Sequence, residues 1–128
     1  MRILPLLALL VVACAPCPER AITPTNVCHQ VDGGALLPNQ PFVVTAANYG
    51  SGLEGASCAV SVDGGAITLT MSGLACPAKP SNNPVVPVTQ TRCTVPALPT
   101  GSYTLNDPGS TTLNVGGADA GTLAPCNG

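Results

Sequence analysis

Apolar and polar residues divide the chain near residue 28. Before it stand a single apolar run, interrupted only at Pro5, and a Pro-rich stretch; after it, short runs or strict alternation are separated by Gly, Pro, Asn and Asp. The second pattern predicts an all-β domain over 28–128 and leaves no place for a helix to start. Phe42-Val43-Val44-Thr45-Ala46 is a β-branched run closed by Asn48-Tyr49-Gly50-Ser51-Gly52. Cys58, Val60 and Val62 alternate with Ala59 and Ser61, and Asp63-Gly64-Gly65 then supplies a tight hairpin turn. Its partner strand puts Ile67, Leu69 and Met71 on one face and Thr68, Thr70 and Ser72 on the other. Alternation returns at Val88, with Thr89, Thr91, Cys93 and Val95 on one side. After the turn Pro96–Gly101 come Ser102–Leu105, a last strand over Thr111–Val115, and a tail ending at Cys126.

The N-terminal run is different in kind. Arg2 is the only charge before Glu19, and Ile3 to Val12 is apolar apart from Pro5, the layout of an export signal. Ten residues make a helix of about 15 Å, half of what a bilayer core of about 30 Å requires, so a permanent span is not expected. Val11-Val12-Ala13-Cys14 resembles the lipobox of bacterial lipoproteins, with an aliphatic residue three before the cysteine and Ala one before. The resemblance implies a cleaved signal helix over 1–13, acylation of Cys14, and membrane lipid as a partner. Ala15 stands where an Asp would favour inner-membrane retention, which leans toward the outer membrane or cell surface. An ordinary secretory signal cut after Ala13 or Ala15 is the alternative. Residues 14–27, rich in Pro, read as a lipidated stalk.

Composition sharpens this picture. Removal of residues 1–13 from 128 leaves 115, enough for one small domain. The remaining three basic and six acidic side chains exclude a nucleic-acid partner of the phosphate-binding kind. Phe42, Tyr49 and Tyr103 are the only aromatics, so the core is aliphatic and shallow. Of seven cysteines, acylation claims Cys14, leaving Cys17, Cys28, Cys58, Cys76, Cys93 and Cys126 as an even six. In an exported chain six cysteines read as up to three disulfides, with fifteen possible pairings.

Two further features have bland explanations. Val-Asp-Gly-Gly-Ala occurs at Val31–Ala35 and at Val62–Ala66; the flanks do not match, which favours recurrent hairpin-turn chemistry over duplication. Cys76 to Pro87 carries Pro77, Pro80, Pro84 and Pro87 and reads as a rigid loop. Its P-x-x-P spacing is also compatible with a segment that a partner recognises.

The stretch Cys93-Thr94-Val95-Pro96-Ala97-Leu98-Pro99-Thr100-Gly101-Ser102-Tyr103-Thr104-Leu105, preceded by Phe42 to Gly50 and Cys58-Ala59-Val60, resembles the immunoglobulin-like IPT/TIG domain over residues 40–115. It departs from that pattern in lacking a clear opening Pro-rich strand and in the Cys76–Pro87 insertion. The resemblance implies a Greek-key β-sandwich of about seven strands and a disulfide between Cys58 and Cys93. Tyr103 sits where a β-sandwich places a corner tyrosine, whose hydroxyl bonds backbone, and is assigned a structural role.

Catalytic chemistry is not evident. His29 is the sole histidine and adjoins Cys28, but neighbours on a strand face opposite ways. Cys14-Ala15-Pro16-Cys17 spells C-x-x-C without the strand and helix of a redox motif. No metal site, cofactor or phosphate loop is indicated. The expected function is a non-catalytic envelope lipoprotein that binds a protein or glycan, adheres, or supports a membrane assembly. The alternatives are a small exported inhibitor acting through the Cys76–Pro87 loop and, below it, an envelope enzyme or redox carrier.

Overall fold

A computed structural model of the chain describes residues 17–31, 34–76 and 87–126. The signal, Cys14 and most of the Cys76–Pro87 loop lie outside the described residues. Among the described residues there are nine strands and no α-helix: β1 (Glu19–Ile22), β2 (Asn26–His29), β3 (Phe42–Tyr49), β4 (Glu54–Asp63), β5 (Ala66–Leu74), β6 (Val88–Val95), β7 (Gly101–Leu105), β8 (Thr112–Val115) and β9 (Ala124–Pro125).

They form two sheets. In the first, β4 runs antiparallel along one edge of β5, from Asp63 opposite Ala66 to Glu54 opposite Leu74. The other edge of β5 is shared: β7 pairs parallel with Ala66 and Ile67, β1 pairs antiparallel with Met71 to Leu74, and β8 extends the sheet beyond β7. The second sheet has the order β6-β3-β2-β9, with β9 parallel to β2. β4 of one sheet lies beside β6 of the other. There Thr89 acts as a clasp: its Oγ1 donates to the Ser51 carbonyl at 2.6 Å and accepts from the Leu53 amide at 2.7 Å.

The alternation in the sequence becomes the division between core and solvent. Val44 and Ala46 from β3, Ile67, Leu69 and Met71 from β5, and Cys93 and Val95 from β6 are buried in one cluster. The β4–β5 hairpin turns through Gly64-Gly65, and Gly64 takes φ +61°, the positive value that some two-residue turns need at their first central position. Its twin at Val31–Ala35 behaves differently. The Gly34 amide bonds the Val31 carbonyl at 3.3 Å, and the chain then leaves the second sheet, so that Leu36 bridges Val115 in the first.

The stalk expected over 14–27 is not a stalk from Glu19 onward. β1 belongs to the first sheet and β2 to the second, and Pro24 between them is fully buried. Asn48 Nδ2 donates to the Thr23 carbonyl at 2.6 Å and holds this crossing in place. The tail after Val115 is likewise structured: β9 pairs with β2, and the Cys126 amide bonds the His29 carbonyl at 2.8 Å. These short elements raise the strand count from about seven to nine.

Candidate functional site

All six cysteines from Cys17 onward are paired. Cys58 on β4 joins Cys93 on β6, linking the two sheets across a Cα separation of 5.2 Å. Cys28 on β2 joins Cys126 after β9, and Cys17 before β1 joins Cys76 after β5. The last bridge ties the N-terminal segment to the start of the Cys76–Pro87 loop rather than closing that loop on itself. Cys14 lies outside the described residues.

Tyr103 is buried on β7, and its hydroxyl donates to the Pro99 carbonyl at 2.8 Å, four residues upstream. This ties the turn before β7 to the core and leaves little of the ring available to a ligand. His29 is only 3% exposed; its Nδ1 accepts from the Val31 amide at 3.2 Å. The adjacent Cys28 is held in its disulfide, so the two do not form a nucleophilic pair. Asp107 is also occupied locally: its carboxylate accepts from the Thr111 amide at 2.7 Å and the Thr111 hydroxyl at 2.6 Å. Among the described residues no group of three or more His, Cys, Asp or Glu could hold a metal ion. Nor, among them, does any buried side-chain nitrogen or oxygen lack a hydrogen-bond partner.

Two of the surface regions lie at opposite ends of β3. Near Phe42, an open groove of about 400 Å³ is lined by Gln30, Leu36, Leu37, Gln40, Val43 and Arg92 among others. Leu37 stands 56% exposed at its rim. An apolar trough with a few polar groups at its edge is the usual form of a small binding site. Its components come from three separated stretches, and Arg92 reaches it only because the β3–β6 register sets Arg92 opposite Thr45. Neither Arg92 nor Leu37 carries a motif that marks it in the sequence. The one available signal was the Leu36-Leu37 pair itself, since neighbouring apolar residues in extended chain cannot both face the same core.

At the other end of β3, Tyr49 pairs with Val88, and the Gly50 amide bonds the Pro87 carbonyl at 2.7 Å. An open cleft here of about 490 Å³ brings Gly50, Leu53 and Pro87 against Pro18, Ala75 and Cys76. Tyr49 is 56% exposed, Val88 43% and Leu74 40%. Three of the four exposed large apolar side chains among the described residues therefore gather at the end where the chain enters the domain at Cys17.

Comparison of the chain with protein-family models, with curated proteins and with solved structures found no match.

Proposed function

We propose that the protein is an exported lipoprotein, anchored through acylated Cys14 to a bacterial membrane, and that its domain acts as a non-catalytic binding or structural module. The carrying observation is the cysteine balance. Three disulfides use six of the seven cysteines, and the seventh is the one that ends Val11-Val12-Ala13-Cys14. Disulfides suit an oxidising compartment outside the cytosol, and the thiol of a lipobox cysteine is consumed by lipid transfer rather than oxidation. The occupation of His29, Cys28 and Asp107 by structural bonds supports a module without catalysis. The groove near Phe42 is the surface we assign to a protein or glycan ligand. For the fold we favour an immunoglobulin-like Greek key of the IPT/TIG kind, supported by the Tyr103 bond and by the bridge between the sheets.

Expression of the full chain in a bacterial host, with fractionation and fatty-acid labelling, tests the anchor. Wild-type chain is expected in membranes and labelled; Cys14→Ala is expected to lose the label. A Cys14→Ala chain that keeps both label and membrane association overturns the assignment.

A further inference from the structure

We infer that the end of the domain bearing Tyr49, Val88 and Leu74 rests directly on the bilayer surface, with no spacer between lipid and fold. This rests on the reading of Cys14 as the lipidated residue. Cys17 is fixed to Cys76, and the Ala75 amide bonds the Pro18 carbonyl at 2.8 Å, so the chain is held to the first sheet from Cys17 onward. Only Ala15 and Pro16 separate Cys14 from Cys17. Three peptide steps of at most ~3.6 Å reach about 11 Å, about half of the ~23 Å that separates the two ends of β3. An acyl group on Cys14 therefore brings this end, and no other, to the membrane.

The surface brought there suits an interface. Tyr49 and Val88 pair on the second sheet, Leu74 ends β5 on the first, and the cleft carrying Pro18, Leu53 and Pro87 runs between them. Tyrosine favours the headgroup level, where its ring is shielded and its hydroxyl stays wet. Among the described residues, Glu19 and Glu54 both pair with Leu74, with Arg20 beside Glu19, a balance that does not favour anionic lipid. Apolar contact drives the docking, helped by a tether short enough to give millimolar effective concentration. The groove near Phe42 then points away from the membrane, since the seven steps of β3 from Phe42 to Tyr49 span about 23 Å.

The chain contains no tryptophan, so single substitutions report their own surroundings. Tyr49→Trp and Leu37→Trp start from equal exposure, 56% each, at opposite ends. Each full-length variant, purified from bacterial membranes, is reconstituted in phosphatidylcholine vesicles with and without brominated acyl chains, and flotation is recorded. Quenching of Tyr49→Trp is expected to exceed that of Leu37→Trp by about threefold, because the ends differ in height by more than a leaflet's hydrocarbon depth of ~15 Å. Should Tyr49→Trp fail to accumulate, Val88→Trp gives the same comparison. Protein that floats with vesicles yet shows equal quenching at both ends, or none, overturns the docking and leaves the anchor standing. Protein that carries no lipid and does not float overturns both.

Discussion

The side-chain amide of Asn106 pairs with both backbone polar groups of Leu69. Its Oδ1 accepts from the Leu69 amide at 2.9 Å, and its Nδ2 donates to the Leu69 carbonyl at 3.1 Å. One side chain thus imitates a strand. It fills the place along the edge of β5 between β7, which pairs with Ala66 and Ile67, and β1, whose last residue, Ile22, pairs with Met71. Asn106→Ala leaves both groups without their partner, at a cost of about 1–2 kcal/mol, since water reaches this edge in part. Asn106→Asp restores the acceptor but not the donor and is expected to recover only part of the loss. Urea unfolding under non-reducing conditions reads both as lowered midpoints at unchanged slope.

Gly73 lies where the β4 register shifts between Glu54 and Ser57. A Cβ there would stand 2.8 Å from the Glu54 carbonyl oxygen and 2.9 Å from Leu53 Cβ. Gly73→Ala is therefore expected to destabilise by about 1–3 kcal/mol through overpacking. At Gly65 the nearest atom would be 3.6 Å away, and Gly65→Ala is expected within about 0.5 kcal/mol of wild type. Equal thermal midpoints for the two variants would count against the close approach at the bulge.

Removing the Tyr103 hydroxyl while keeping the ring separates the bond to Pro99 from the packing. Tyr103→Phe is expected to cost about 1 kcal/mol, and Tyr103→Ala about 3–5 kcal/mol, because it also empties a core position. Denaturant midpoints of the pair check the ratio.

The bridges differ in the length of chain they close. Cys58–Cys93 spans 35 positions and Cys28–Cys126 spans 98. In the chain-entropy account, losing the first by paired Ala substitution costs roughly 3–4 kcal/mol, and losing the second about 1 kcal/mol more. The reverse order in calorimetry would show that docking of the tail, rather than loop closure, sets the effect.

What could be read in advance follows from how much each signal depends on local chain. The β4–β5 hairpin was legible because alternation on both arms and two glycines at the turn point to one register. β3 and β6 were legible as β-branched runs. β1 and β9 were not: at four and two residues they are too short to show a period, and the flanking Pro18 and Pro24, or Pro125 itself, read as stalk and tail. The Val31–Ala35 copy does not join two paired strands as Val62–Ala66 does: the Gly34 amide bonds the Val31 carbonyl, and Leu36 then bridges Val115 of the other sheet. The even cysteine count was available in the sequence, but the pairing of Cys17 with Cys76 and Cys28 with Cys126 needs three-dimensional proximity. The groove near Phe42 was hidden for the same reason, since sheet register brings Arg92 to Gln30 and Val43.

The central claim is that Cys14 is the membrane anchor of a domain whose other cysteines are all oxidised. Intact-mass and N-terminal peptide analysis of the mature protein, purified from bacterial membranes without reductant, tests it most directly. The account predicts a chain beginning at Cys14, carrying the mass of its acyl groups and lacking six hydrogens relative to the fully reduced form. An unlipidated chain, whether it begins at Cys14 or Pro16 or retains residues 1–13, or one in which Cys14 is joined to another cysteine, would contradict it.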